Sequence, residues 1–578
     1  MPSGLQFTLA HSDHAAQFGP RLGTLILRRP NGCEITLDTP TLLTSTSRGV
    51  VSHLSRDHVR QSSAIRWVHV PFETFLEQSP PVPTLQTGPH PLHRFLGFVP
   101  QDHILSTSVR DPDDVRQMPP NGPNYLAANS LRGVRKITPN EWRTYTDKIQ
   151  PDFVIALTDT PHTPPPFSQK RLTKSIERSS AWLASLLSPV VSAVTPTAST
   201  DLTATDLSQA PTNASDIAAT KPAVLVHLAG AASHPARSAF AAALLEPLSD
   251  IERASIGGLP TLDAGVAGYT IDLAPLRIAI SSSPVSPPAS SDINPSTNIT
   301  SSLSALLQTS LTRLPRTKLR LIYGTLGPHD ALHLLRDVGT DVLNASWALH
   351  AAHVGVSLDF VFPAPTRDTS PTIEGDSAAL QPLGRNLYAP QYALDFAGLS
   401  TSGNTCECAA CAPHMPDTRI VHGSDASEEA DAYVRARRAA SASADQANDG
   451  GDDDSSANLR NPSYTRAYLH HLLHTHEMSA HALLALHNLA VAEAFLQGVR
   501  TVLASSGGVD RFANEVARFE AYYAEESLTV GAPREEGEKG GIMAEARAMW
   551  AQVELARGKG RLAREKERAV AGGTEAEP

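Results

Sequence analysis

Three of the chain's four cysteines fall within six residues, in the stretch Cys406-Glu-Cys408-Ala-Ala-Cys411. A C-x-C-x2-C cluster is poor geometry for pairing with itself and good geometry for three thiolates on one ion, which fits a reducing compartment. Thiolate is the soft ligand that zinc prefers, and structural zinc takes four nitrogen or sulfur donors in a tetrahedron. His487 supplies the fourth. It extends an apolar helical stripe through Leu469, Leu472, Leu473, Ala480, Leu483 and Leu484. The neighbouring His470, His471, His474, His476 and His481 fall off that stripe or at its edge. With four protein donors, a bound zinc keeps no open position for water, so the expected role is structural, one ion per chain.

The four donors are far apart in sequence, with an acidic, low-complexity stretch over 413–462 between Cys411 and His487. Loop closure costs grow as the logarithm of length, so tripling a loop costs about 1 kcal/mol. A structural zinc contributes on the order of 10–16 kcal/mol in small peptides. The metal outweighs the loop. A single helix from Thr465 to Arg500 is expected to present His487 inward.

The elements that must carry this site read as α/β. Apolar runs begin at Gly23, Ala64, Arg94, Phe153, Ala223, Gly268, Leu319, Val342 and Ser357. Several are continuous, as in strands buried on both faces of a parallel sheet. Helical stretches over 170–187, 235–248 and 328–338 lie between them, so right-handed crossovers are expected. The strand number and the absence of a G-x-G-x-x-G after an early strand favour an irregular (β/α)8 TIM barrel over a doubly wound sheet. The expected organisation is a barrel over 1–400, a zinc-binding subdomain over 401–505, and a C-terminal helix and charged tail over 506–578. Low-complexity insertions are expected at 194–220, 281–302, 363–382 and 413–462.

Composition narrows the function. The formal net charge is −11 and aromatic residues make up 5% of the chain. Tight, independent binding of nucleic acid usually shows a basic balance, because phosphate neutralisation supplies most of the affinity. No apolar run reaches the ~20 residues of a membrane span, and the first residues lack the pattern of a signal or transit peptide, so a cytoplasmic location is expected.

The Cys406–Cys411 cluster, Tyr464-Thr-Arg-Ala-Tyr-Leu-His-His-Leu-Leu and Leu486-His487-Asn488 closely resemble the zinc subdomain of tRNA-guanine transglycosylases. Arg21-Leu-Gly, Thr39-Pro-Thr-Leu, Arg132 to Trp142, Pro151 to Asp159 and Asn386 to Phe396 resemble other parts of that family, over about residues 20–500. The resemblance implies a TIM barrel, zinc bound by Cys406, Cys408, Cys411 and His487, and exchange of a guanine base in tRNA through an aspartate nucleophile.

The sequence departs from the family at the residues that carry this chemistry. The nucleophile segment aligns with Gly339-Thr-Asp341-Val-Leu-Asn344, which puts a neutral carboxamide at the reactive position. The loop carrying the general acid/base is replaced by Leu105-Ser-Thr-Ser-Val-Arg-Asp-Pro, and the base-reading glutamine by Leu228. The family's Gly-Gly-Leu becomes Ala267-Gly268-Tyr, and Asp159 stands at or beside the base-recognising aspartate as a relic. Scaffold and metal ligands without the chemistry resemble the non-catalytic accessory subunits of eukaryotic family members, a likeness extended by Lys170-Arg-Leu-Thr-Lys-Ser-Ile-Glu-Arg-Ser. This implies a heterodimer with a catalytic subunit, tRNA engaged through the complex, queuine exchanged for guanine at the wobble position of tRNAs for Asp, Asn, His and Tyr, and peripheral contact with the mitochondrial outer membrane. Two other readings are an active transglycosylase with a displaced nucleophile, Asp341 or Asp359, and a zinc-stabilised scaffold unrelated to tRNA.

Overall fold

The computed structural model describes residues 4–10, 16–114, 116, 118–161, 165–189, 221–282, 295–366, 380–400, 406–412, 463–525, 528 and 541–572. Its strands are β1 (Leu5–Leu9), β2 (Gly23–Arg28), β3 (Glu34–Thr39), β4 (Thr41–Ser45), β5 (Trp67–Pro71), β6 (Ile104–Ser108), β7 (Leu126–Ser130), β8 (Gly133–Ile137) and β9 (Phe153–Ile155). They continue with β10 (Ala223–His227), β11 (Gly268–Asp272), β12 (Leu319–Tyr323), β13 (Val342–Asn344), β14 (Val356–Leu358) and β15 (Gly384–Asn386). Strands β4, β5, β6, β9, β10, β11, β12 and β13 close into a parallel barrel, with Val342 of β13 pairing with Thr41 of β4 at the seam.

The helices are α1 (Arg56–Gln61), α2 (Pro91–Leu96), α3 (Pro139–Ile149), α4 (Gln169–Leu187), α5 (His234–Leu245), α6 (Asp250–Ser255), α7 (Leu273–Ser281), α8 (Pro295–Leu311), α9 (Pro328–Asp337) and α10 (Ser346–His353). Beyond the barrel come α11 (Arg466–His474), α12 (Met478–Ala504), α13 (Gly508–Tyr522) and α14 (Ile542–Gly572).

Period-two alternation along the barrel strands divides the core. Leu43, Trp67, Ile104, Phe153, Leu225, Leu321 and Val342 share one cluster with Leu25, Leu27, Ile35 and Leu37. The antiparallel β1–β3 meander therefore caps the barrel, and its apolar face completes the interior. The Trp67 and Phe153 rings stack 4.7 Å apart inside. Outward residues such as Val68, Leu105, Val154, Val224 and Leu343 pack beneath the helices.

Several expectations change. The apolar run at Arg94 belongs to α2, not a strand: Pro91 opens that helix and Gly97, at φ +78°, ends it. The runs at Gly23 and Ser357 include strands, but β2 and β14 pair antiparallel outside the barrel. Their places in the barrel go to β4 and β6, whose Ser and Thr residues hide them from an apolar scan. Thr107 Oγ donates to the Val70 carbonyl, so its buried hydroxyl is satisfied within the sheet.

The helix expected from Thr465 to Arg500 is two helices. Thr475 ends α11, His476 takes φ +60°, and α12 starts at Met478. The seven-residue step from Leu473 to Ala480 preserves the stripe across this turn and conceals it. Of the 281–302 stretch, Ser281 ends α7 and the residues from Pro295 belong to α8, while 283–294 lies outside the described residues. Residues 194–220, 367–379 and 413–462 of the other expected insertions lie outside the described residues.

Helix α12 is long and apolar enough, by length and composition, to cross a membrane, yet 67% of its most apolar window is buried in the protein. It packs on α10, α13 and β14. Its closest approach is at Gly498, where a Cβ would lie 1.8 Å from the Phe362 carbonyl oxygen.

Candidate metal centre and barrel mouth

Cys406, Cys408, Cys411 and His487 come together, with their donor atoms all within 4.8 Å of one another. The cysteines lie on a short turn in which the backbone N–H groups of Cys411 and Ala412 donate to the Cys408 carbonyl. His487 is fully buried on α12. Its Nε2 lies 2.9 Å from the Leu358 carbonyl oxygen, and that acceptor assigns the ring proton to Nε2 and turns Nδ1 toward the sulfurs. Nδ1 lies 3.7, 3.8 and 3.3 Å from the sulfurs of Cys406, Cys408 and Cys411. Donors at about 2.3 Å (sulfur) and about 2.0 Å (nitrogen) from a tetrahedral ion stand about 3.5 Å apart. The four residues fit a metal ion.

Electrostatics gives the same result. Hydrogen bonds from Cys408 and Cys411 hold the Cys406 thiol far below the usual thiol range, while contacts with Cys406 and Cys408 push Cys411 far above it. Burial opposes charge on His487, yet hydrogen bonds to Cys406 and Cys408 raise it to about 10. The sulfurs crowd around one proton, a position that a metal cation could take.

Asn488, which sequence reasoning missed as a site residue, holds the centre in position. Its Nδ2 donates to the carbonyls of Ala348 (3.1 Å) and Val356 (2.9 Å), and its Oδ1 accepts from Leu358 N–H at 2.9 Å. Adjacent residues of α12 thus bind the same edge strand, one by its ring and one by its amide. A buried amide in the middle of an apolar helix was the available signal.

The second candidate region is the C-terminal end of the barrel strands, where active sites sit in this fold. Asn344 ends β13 there and is fully buried. Its Nδ2 donates to Asp113 Oδ2 at 2.8 Å and to Ser45 Oγ at 3.3 Å. Its Oδ1 accepts from the Ser346 N–H at 2.8 Å and lies 2.7 Å from the Ser346 hydroxyl. Every polar atom of the amide is engaged.

Beside it a cavity of about 230 Å³ is lined by Asp111, Asp114, Leu157, His227, Arg237 and Asp272, among others. Burial and the neighbouring Asp113 raise Asp111 to about 7. Burial, with Asp111 and Asp114, raises Glu73 to about 8. Burial also pushes Asp272 well up.

Asp159 does not open into this cavity. Its carboxylate takes Arg171 Nη1 and Nη2 at 2.9 and 2.8 Å, Arg178 Nη1 at 3.0 Å and Asn121 Nδ2 at 2.9 Å. Both arginines come from α4, which packs here with Ser175 and Ser179 against the same aspartate. The carboxylate is fully occupied within the protein.

Neither displaced nucleophile reaches the mouth. Asp341 lies just before β13, at the opposite end of the barrel, with Arg21 Nε at 2.8 Å and the Arg320 N–H on its carboxylate. Asp359 follows β14 outside the barrel and pairs with Arg385. Both carboxylates are held in ion pairs away from the cavity.

A closed (β/α)8 barrel with a Cys3His cluster held between an edge strand and a long helix is the architecture the sequence motifs implied. The chain belongs to the queuine tRNA-ribosyltransferase family, whose model matches residues 17–265 and 450–524. It is similar to the queuine tRNA-ribosyltransferase accessory subunit 2 of Schizosaccharomyces pombe, 22% identical over 86% of this chain and 83% of that protein. The protein of the same name from Ixodes scapularis is 23% identical over 87% of this chain and 98% of its own length. That from Xenopus tropicalis is 29% identical over 28% of this chain and 39% of its own. Asn344 and the three cysteines fall between the two stretches matched by the family model.

Proposed function

We propose that this chain is a non-catalytic accessory subunit of queuine tRNA-ribosyltransferase, which pairs with a catalytic subunit and helps position tRNA while queuine replaces guanine at the wobble position. The observation that carries this reading is Asn344. At the strand end where the resemblance sets the nucleophile stands a neutral amide, tied by Asp113, Ser45 and Ser346. A carboxamide oxygen is a weak nucleophile, and this one already accepts hydrogen bonds. Asp159, neutralised by two arginines, has no acceptor left for a purine.

Zinc is the proposed metal, held by Cys406, Cys408, Cys411 and His487. Three thiolates and one imidazole suit it, and a closed four-donor shell supplies a structural cross-link with no position for water. None of the four cysteines is in a disulfide, in keeping with the proposed cytoplasmic, reducing location. The pairing surface is proposed beside this centre. Leu394 and Phe396 are 81% and 73% exposed, and Tyr468 of the adjoining α11 is 44% exposed. Asp395 fixes that segment to α11 through Arg466 and the Ala467 N–H.

The deciding experiment is base exchange with labelled guanine and a transcribed tRNA. The chain alone is expected to be inactive, and to stimulate exchange when added to the catalytic subunit. Incorporation by the chain alone would refute the proposal. A second reading, activity of the chain itself, is favoured only by Asp113, a carboxylate touching Asn344. In that case Asp113→Asn would abolish incorporation by the isolated chain.

A further inference from the structure

The β7–β8 hairpin is acid-free. From Leu126 to Ile137 it reads Leu-Ala-Ala-Asn-Ser-Leu-Arg-Gly-Val-Arg-Lys-Ile, with three cations and no carboxylate, in a chain of net charge −11. All six residues from Leu131 to Lys136 are exposed. The base of the hairpin is anchored at the barrel mouth, where Leu126 lines the cavity and Ile137 is buried. Its tip, with Ser130 paired to Gly133, stands about 13 Å further out at the ordinary rise of a strand.

The cations here have little else to do. Arg135 reaches the Glu77 carbonyl at a marginal 3.5 Å, and the Lys136 ammonium lies 4.7 Å over the Tyr125 ring. Neighbours on a strand point to opposite faces, so Arg135 and Lys136 make the ribbon cationic on both sides. A flat acidic protein patch could satisfy only one of those sides. Two backbone segments of a folded RNA satisfy both, and the planar guanidinium forks of Arg132 and Arg135 match phosphate oxygens. A chain of net charge −11 attracts phosphate weakly as a whole, and the acid-free hairpin is a local exception to that balance.

We infer that the β7–β8 hairpin is an RNA-backbone clamp, with Arg132, Arg135 and Lys136 gripping phosphates of the tRNA presented at the barrel mouth. This rests on the accessory-subunit reading for the identity of the RNA, but the clamp itself is tested without the catalytic subunit.

The experiment titrates full-length chain into a fluorescent transcribed tRNA between about 50 and about 200 mM salt, where each phosphate contact steepens the dependence of affinity on salt. The triple variant Arg132→Gln, Arg135→Gln, Lys136→Gln is expected to bind roughly tenfold more weakly at about 100 mM salt, with a slope flatter by about 2 to 3. Arg253→Gln, an exposed cation on α6, is expected to leave both unchanged. Matching melting curves check folding, which the exposed hairpin should not disturb. Unchanged affinity and slope in the triple variant would overturn the clamp. So would a variant that binds tRNA normally but loses either the catalytic subunit or phosphatidylserine vesicles, since the hairpin would then serve a protein or a membrane. A chain that binds tRNA through the hairpin but never associates with a catalytic transglycosylase would leave the clamp standing and remove the accessory reading.

Discussion

The metal centre and the barrel mouth both gather polar groups at buried strand ends, and they satisfy them in opposite ways. At the centre, three sulfurs and one imidazole nitrogen converge on one another, an arrangement that could hold a metal ion. At the mouth, the amide of Asn344 and the carboxylate of Asp159 are saturated by neighbours from other elements. A binding site keeps donors or acceptors in reserve, and a structural knot does not. By that criterion the Cys3His cluster has the character of a binding site, while Asn344 and Asp159 are tied into the scaffold.

Removing a donor is the strongest way to break this contrast. Cys408→Ser or His487→Ala is expected to abolish metal binding, read as zinc per chain by mass spectrometry. Loss of a site that stabilises small domains by on the order of 10 kcal/mol should unfold α12 from β14 and destabilise the chain by several kcal/mol. Full metal content in both variants would show that the four residues are not the ligands. Next comes Asn488→Ala, which strands one N–H and two carbonyls in a buried seam. A loss of about 2–3 kcal/mol is expected in urea unfolding, along with metal affinity roughly 10–100-fold weaker, because the mount of His487 loosens.

The mouth should show itself through pH. Glu73, raised to about 8, and Asp111, raised to about 7, hold protons in the folded state that the unfolded chain has released. Their contribution is complete below their unfolded values near 4 and is lost as pH rises through about 7 to 8. On the acid side, His53 is lowered to about 4 by burial and by His481 and His353 beside it, so stability also falls as pH drops from about 6.5. Between about pH 4 and 6.5 the histidine and the carboxyls oppose one another, and above about 6.5 only the carboxyls act, so the melting temperature should fall as pH rises from about 6.5 to 8 and Glu73→Gln should flatten that alkaline limb. An unaltered limb in that variant would assign the proton uptake elsewhere. The smallest effect is expected at Asn344. Replacing it with Ala should leave the base-exchange rate of the assembled complex within about twofold, and a large fall would return chemistry to this chain.

Much of the architecture was legible because it follows from local pattern. Phe153–Ile155, Ala223–His227, Gly268–Asp272 and Leu319–Tyr323 are short, mostly apolar stretches, and each is a barrel strand. Strands rich in hydroxyls, β4 and β6, were not legible, because a scan for apolar runs passes over Ser and Thr; the buried hydroxyl of Thr107 in β6 is satisfied only once β5 offers the Val70 carbonyl. The turn between α11 and α12 was equally hidden, since hydrophobic spacing records which face is inward and not whether the backbone is continuous.

The donor set of the metal centre was written in the sequence, in the spacing of Cys406, Cys408 and Cys411 and the inward phase of His487, because ligand chemistry is fixed by residue type. The neutral amide at Asn344 was written there too. What became of that amide was decided only by the tertiary structure. Asp113, its partner, lies 231 residues away, and the end of β13 had to meet the loop after β6 before the two groups could bond. Composition and spacing specify what a residue can do, and long-range packing decides whether that capacity is left open or used up.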